Sequence, residues 1–217
     1  EMTSSLVGSE MCIRDSFCGD EALRTAYAFS RGIRILAQDP WETLCSFILS
    51  QNNNIPRIRK IIASLCERFG APIAGTPFYA FPTAERLAEV GMEGLAEIRC
   101  GFRAKYVADA AARVASGALD LEALRKQSYE AAKAALMTVY GVGAKVADCV
   151  LLYGLSRWEA VPMDVWMKKA MNELFPNGLP ACCRGREGIA QQFIFDYARR
   201  NLPRGTQKVQ AKGTGGH

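Results

Sequence analysis

Groups that could act on a nucleic-acid sugar lie close together between residues 136 and 171. Gly141 and Gly143 mark a tight turn, and backbone amides at the helix start that follows can bind a phosphate. Lys145 supplies an amine in the first turn of that helix, and Asp164 supplies a carboxylate at the start of the next one. An amine nucleophile, a carboxylate and a phosphate site together predict chemistry on the sugar of a nucleic acid.

The composition excludes several other kinds of site. The 217 residues carry a formal net charge of +5, which permits a polyanionic partner without requiring one. The only histidine is His217, so histidine-dependent nucleophiles and histidine metal sites are close to excluded. The eight cysteines show no C-x-x-C spacing, which argues against a metal site and favours reduced, helix-packed thiols. With no membrane span and no signal peptide, we expect an intracellular, reducing compartment and no membrane partner.

The spacing of apolar residues is helical almost throughout, and no long alternating strand pattern occurs. We therefore predict an all-α fold with two lobes. The expected helices cover residues 21–31, 40–50, 56–69, 84–90, 95–99, 104–116, 121–125, 129–139, 146–153, 165–175 and 188–201. The predicted domain covers residues 17–202. Residues 1–16 are expected to be a disordered or non-native leader that resembles a translated sequencing adaptor, and residues 203–217 a disordered tail.

Five segments of the chain resemble a known family. Residues 141–149, followed by residues 160–165, resemble the helix-hairpin-helix/Gly-Pro-Asp superfamily of DNA glycosylases, with the hairpin at about 136–155. Residues 39–42 with 50–58 resemble the Asn-rich helix junction of the 8-oxoguanine DNA glycosylase family, and residues 101–106 resemble its second DNA-contact loop. The resemblance covers about residues 31–202.

This resemblance implies a DNA glycosylase and AP lyase that removes 8-oxoguanine opposite cytosine. It implies a monomer that acts on double-stranded DNA containing oxidised guanine, with neither a cofactor nor a metal. Lys145 would attack the anomeric carbon and form a Schiff base, while its helix start and partial burial would favour the free amine. Asp164 would stabilise the oxocarbenium-like charge, alone or while capping its helix. The hairpin residues Gly141, Val142 and Gly143 would bind the DNA backbone.

The resemblance also assigns residues that would hold the two separated bases. Asn52, Arg57 and Arg103 would contact the unpaired cytosine. The alternative for the two arginines is that they are only solvated side chains on helix surfaces. Phe102 would wedge into the base stack and replace the lost stacking.

A second group of residues would form the damaged-base pocket. Gln191 would read the base edge and Phe195 would stack on its plane, since the two lie one helical turn apart. Cys149 would cover the opposite plane. Gln192 is a competing reader, and Phe195 and Cys149 could instead be core residues.

Three departures from the family pattern leave alternatives open. Tyr140 stands where the family usually has proline, and Trp166 stands where some members have histidine. Full-length members also begin with a β-rich lobe that has no counterpart in this sequence. The alternatives are another glycosylase of the superfamily, such as one that acts on alkylated purines, and a DNA-binding fragment without catalytic activity.

Overall fold

The computed structural model describes residues 17 and 19–203, and this part of the chain is helical. Nine α-helices follow in chain order: α1 Glu21–Phe29, α2 Pro40–Ser50, α3 Ile55–Phe69, α4 Ala84–Glu97, α5 Ala104–Ala115, α6 Tyr129–Met137, α7 Ala144–Cys149, α8 Val165–Leu174 and α9 Glu187–Asn201. A π-helical segment, Val150–Gly154, continues α7, and short 3-10 turns lie at Gly101–Arg103, Ala123–Lys126 and Ala181–Cys183. Within the described residues, β pairing is limited to one bridge between Pro72 and Tyr79. The predicted all-α class is confirmed.

Side-chain caps set where the helices next to the candidate site begin. The carboxylate of Asp39 accepts a hydrogen bond from the Glu42 amide at the start of α2, and Asn54 accepts one from the Arg57 amide at the start of α3. Each bond satisfies an amide that has no partner within its own helix. These local rules explain why most predicted helix boundaries agree with the structure to within two or three residues.

Two hydrophobic cores confirm the two-lobed prediction. The larger core is built from α2 to α7, with Leu44, Ile48 and Leu136 among its fully buried side chains. The smaller core joins α1 to α8 and α9 around residues such as Leu23 and Ile194. Partly buried Ile35 and Trp158 pack against both cores, so the two lobes share a boundary.

The two short helices expected at 84–90 and 95–99 are confirmed as two helical segments of α4, separated by a kink at Gly91. Gly91 has a φ of +64°, a left-handed conformation that interrupts the helical path. The predicted leader, residues 1–16, and nearly all of the predicted tail lie outside the described residues. No helix among the residues that the structure describes is long and apolar enough to cross a membrane.

Candidate active site

The hairpin turn between α6 and α7 holds its two glycines for different reasons. Gly141 has a φ of +80°, and a Cβ atom added there would lie 2.6 Å from ring carbons of Tyr106. Gly143 has an ordinary φ of −97°, and a Cβ atom there would meet nothing within 4 Å. Between them Val142 is buried, and its amide donates to the Val139 carbonyl over 3.0 Å. The fold therefore requires glycine at 141, whereas at 143 the protein leaves open space in front of the helix start.

A buried ion pair fixes α7 against α6. Lys133 Nζ lies 2.8 Å from Asp148 Oδ1, and the Tyr129 hydroxyl donates to the same carboxylate over 2.7 Å. The side chain of Asp148 is only 5% exposed, so these partners are needed to offset the cost of burying a carboxylate. Because Asp148 lies one helical turn after Lys145, this contact also fixes the helix that carries the candidate nucleophile.

A cavity of about 310 Å³ opens at the start of α7. The cavity lies between the end of α2 with its following turn and the first two turns of α7. It is lined by Phe47, Ser50, Gln51, Asn52, Gly143, Lys145, Val146 and Cys149. Lys145 is exposed, so the expectation that partial burial would favour its free amine is wrong. The structure thus brings together four predicted site residues, namely Asn52, Gly143, Lys145 and Cys149.

Asp164 caps α8, as one of the two sequence interpretations predicted. Its Oδ1 accepts a hydrogen bond from the Met167 amide over 2.8 Å, and the residue is half-buried. Asp164 does not line the cavity, but it lies within electrostatic range of Cys149, as does Lys145.

The thiol of Cys149 is held in its protonated form. Burial raises its pKa to about 12; Lys145 works against this rise, and the carboxylates of Asp148 and Asp164 add to it. A thiol with that pKa is not a thiolate nucleophile at neutral pH. Cys149 therefore offers a neutral thiol surface to whatever enters the cavity.

The Asn-rich turn between α2 and α3 is held by Arg103. Arg103 is only 3% exposed. Its Nε donates to the Gln51 carbonyl over 2.7 Å, and its Nη2 donates to the carbonyls of Gln51 and Asn52. Its Nη1 donates to the Cys100 carbonyl over 3.2 Å. In this structure the guanidinium positions the turn, and it is not presented on the surface as the predicted cytosine contact would require.

The other predicted opposite-base contacts are accessible. Asn52 is exposed at the tip of the turn, where its φ of +47° is one that asparagine tolerates better than most residues. Arg57 is exposed on the first turn of α3, with one hydrogen bond of 3.2 Å to the Arg99 carbonyl. Phe102, the predicted wedge, is 48% exposed. These three side chains can therefore meet a DNA surface.

An aromatic surface connects the wedge to the hairpin. Phe102 packs edge-on against Tyr106, and Tyr106 packs edge-on against Tyr140, with ring centroids 5.7 and 5.2 Å apart. The amine of Lys105 lies 5.1 Å from the centre of the Tyr140 ring. Tyr140, which replaces the usual proline, therefore extends this surface; its amide also donates to Asp109 over 2.7 Å.

The predicted damaged-base residues on α9 do not line the cavity. Gln191 is 5% exposed, and Phe195 packs against the smaller core. The competing reader, Gln192, donates from its side-chain amide to the Tyr153 hydroxyl over 2.8 Å and to the Gln191 side-chain oxygen.

These side chains nevertheless connect α9 to the cavity through aromatic rings. Tyr153 stacks on Phe47, a cavity-lining residue, with centroids 5.5 Å apart. Burial raises the pKa of Tyr153 to about 12, so its hydroxyl is neutral at physiological pH.

Sequence reasoning missed six residues of the site: Phe47, Ser50, Gln51, Tyr106, Val146 and Tyr153. Phe47, Val146 and Tyr153 occur at apolar helical positions, which indicate only core packing. Ser50, Gln51 and Tyr106 lie within segments 50–58 and 101–106, and the motif resemblance of those segments was the signal available for them. Among the described residues, no group of histidine, cysteine or acidic side chains is arranged to hold a metal ion.

Comparison with known proteins places this arrangement in a family. The sequence model described as "HhH-GPD superfamily base excision DNA repair protein" matches residues 45–178. The chain is 44% identical over 153 residues to the Saccharomyces cerevisiae N-glycosylase/DNA lyase, covering 64% of this chain and 41% of that protein. It is 38% identical over 178 residues to an Arabidopsis thaliana N-glycosylase/DNA lyase, covering 77% of this chain and 48% of that protein. The chain thus spans less than half the length of these two relatives.

A solved structure shows the same fold. The Clostridium acetobutylicum 8-oxoguanine glycosylase/lyase, in complex with double-stranded DNA containing cytosine opposite 8-oxoG, is similar with a TM-score of 0.79 and 37% identity. The similarity covers 91% of this chain and 72% of that one.

Proposed function

The chain belongs to the HhH-GPD superfamily of base excision DNA repair proteins, and we propose that it is a DNA glycosylase and AP lyase that removes 8-oxoguanine opposite cytosine. The observation that carries the proposal is the cavity itself. It combines the exposed amine of Lys145, the protonated thiol of Cys149 and the open helix start at Gly143. The similarity to N-glycosylase/DNA lyases of two organisms supports the same activity.

The reaction begins when the Lys145 amine attacks the anomeric carbon of a flipped nucleotide. A bond forms from Nζ to that carbon, and the glycosidic bond breaks with its electron pair leaving on the base, which takes up a proton. Asp164 stabilises the positive charge that the sugar carries while the bond breaks. The bound amine loses a proton, the bond between the anomeric carbon and the ring oxygen breaks, and that oxygen takes up a proton, which opens the sugar ring and leaves a Schiff base. The Schiff base then allows removal of a proton from the neighbouring carbon and departure of the 3′ phosphate, which is the lyase step.

The remaining site residues would bind the DNA. The amides after Gly143 would bind a phosphate, and Phe102 would occupy the space left by the flipped base. Asn52 and Arg57, which are exposed, would contact the unpaired cytosine. We further propose that the protein acts as a monomer on double-stranded DNA, within a DNA-containing compartment of the cell.

Borohydride trapping tests the nucleophile. Borohydride reduces a Schiff base to a stable amine, so the protein should become covalently attached to DNA that contains 8-oxoguanine or an abasic site. Lys145→Gln should reduce trapping and excision to background, a loss of at least about 1,000-fold, while duplex binding persists. Lys126→Gln, which changes an exposed lysine outside the cavity, serves as the matched control and should trap normally.

Three results would count against the proposal. Undiminished trapping by Lys145→Gln would place the nucleophile elsewhere. Absence of trapping by the unaltered protein that still binds duplex DNA would favour the DNA-binding fragment. Faster excision of an alkylated purine than of 8-oxoguanine would favour the alkylpurine glycosylase.

A further inference from the structure

Gln51 lines the same cavity as Lys145 and Cys149, at the C-terminal end of α2. Hydrogen bonds hold both the backbone amide and the backbone carbonyl of this residue. The amide donates to the Ile48 carbonyl over 3.3 Å, and the carbonyl accepts from Arg103 Nε over 2.7 Å. The side chain therefore extends from a fixed point on the cavity wall.

The side-chain amide of Gln51 has an unmet hydrogen-bonding capacity. Its Nε2 atom is buried and has no hydrogen-bond partner. Most buried polar groups are paired, because an unpaired donor loses its bonds to water without replacement. The terminal torsion of glutamine is broad, and a half-turn about it exchanges the amide nitrogen and oxygen. The amide can therefore offer either a donor or an acceptor to a ligand in the cavity.

A base is the part of a nucleotide that best matches an amide. The exposed amine of Lys145 defines where the sugar must lie, and the open helix start at Gly143 defines where a phosphate can lie. The edge of an oxidised purine presents neighbouring donors and acceptors, whereas the deoxyribose within a DNA strand presents no hydrogen-bond donor. An amide both donates and accepts, so it pairs with a purine edge better than with a sugar.

We propose that the Gln51 side-chain amide hydrogen-bonds the flipped base and thereby acts as a base-reading residue of the cavity. The inference rests on the proposed function, since only a nucleotide flipped onto Lys145 would bring a base to this wall. Its unmet hydrogen bond is made when the base enters, so the contact favours the flipped state.

The test separates base removal from strand cleavage. Gln51→Met keeps the side-chain length and removes the amide. Single-turnover excision from a duplex containing 8-oxoguanine should fall about tenfold or more, the loss expected when a buried hydrogen bond is removed. Cleavage of a duplex with a preformed abasic site should be unchanged, because that substrate has no base to read. Gln127→Met, at an exposed glutamine outside the cavity, should change neither rate.

The outcomes distinguish this inference from the proposed function. Equal losses of excision and abasic-site cleavage, or no loss in either, would overturn the base-reading role of Gln51. The thermal unfolding midpoint should not fall, because an unpaired buried amide is replaced by an apolar group. If the midpoint does fall, a second variant decides. Gln51→Glu, which keeps the shape and removes the donors, must then lower excision and leave abasic-site cleavage unchanged. Failure of the unaltered protein to cleave abasic DNA would instead overturn the proposed function.

Discussion

Two turns flank the cavity and are held in place by different means. The hairpin turn, residues 141–143, and the Asn turn, residues 51–54, each contain a left-handed residue: Gly141 has a φ of +80° and Asn52 a φ of +47°. The hairpin turn is fixed by backbone hydrogen bonds and by a tyrosine ring packed onto glycine. The Asn turn is fixed by the guanidinium of Arg103, which lies 51 residues further along the chain.

This difference has a functional consequence. The hairpin turn needs no side chain of its own, so the site proposed to bind phosphate is built before DNA arrives. The Asn turn, proposed to face the opposite base, depends on one buried arginine and presents exposed side chains. The fixed geometry of a backbone site suits a contact that is independent of sequence, whereas a side-chain surface suits base recognition.

The largest effect is expected from a substitution that disrupts the hairpin turn. Gly141→Ala places a methyl group 2.6 Å from ring carbons of Tyr106 and forces a left-handed backbone on alanine. The strained backbone and the overpacking together should lower the free energy of unfolding by about 3 kcal/mol. Thermal or denaturant unfolding followed by circular dichroism measures this change. Unaltered stability would show that the ring can move away and that packing does not fix the turn.

Gly143→Ala is the matched control for that substitution. Its methyl group meets nothing within 4 Å and its φ of −97° is unstrained, so stability should fall by no more than about 1 kcal/mol, the cost of alanine at a helix N-cap. DNA affinity should nevertheless fall for all sequences alike, because the methyl group occupies the space proposed for the phosphate. A loss confined to lesion-containing DNA would contradict a backbone contact at this position.

The second effect loosens the Asn turn. Arg103→Met removes the donors to the carbonyls of Gln51, Asn52 and Cys100 but keeps most of the buried side-chain stem. Stability should fall by about 2 kcal/mol, because hydrogen bonds from a charged group are lost. Excision should fall by a similar factor opposite all four bases, since the turn itself is displaced. A loss confined to cytosine would restore the base-reading role that the sequence predicted for Arg103.

The same two turns show which features a sequence can reveal. The glycine turn and the Asp164 cap follow from local rules of backbone conformation and helix capping, and the structure has both where they were expected. The buried state of Arg103 and the exposed state of Lys145 could not be predicted, because they depend on contacts between segments distant in sequence. Gln51 was missed for the same reason, since its unpaired amide is visible only once the cavity is formed.

The smallest effect is expected at Arg57, for which the sequence predicted the same cytosine contact as for Arg103. Arg57 is exposed and its side chain makes one hydrogen bond, to the Arg99 carbonyl, so Arg57→Ala should leave stability within about 0.5 kcal/mol. If its guanidinium reads cytosine, the preference for 8-oxoguanine opposite cytosine should shrink about tenfold, or about 1.4 kcal/mol.

Single-turnover excision from four duplexes that differ only in the opposite base measures this preference. Arg59→Ala, at an exposed arginine two residues further along α3, controls for the loss of positive charge. Because a phosphate contact carries no sequence information, it would weaken excision on all four duplexes equally. If Arg57→Ala lowers excision equally on all four duplexes, Arg57 contacts the DNA phosphate backbone. Asn52 would then be the exposed base-reading residue of the turn.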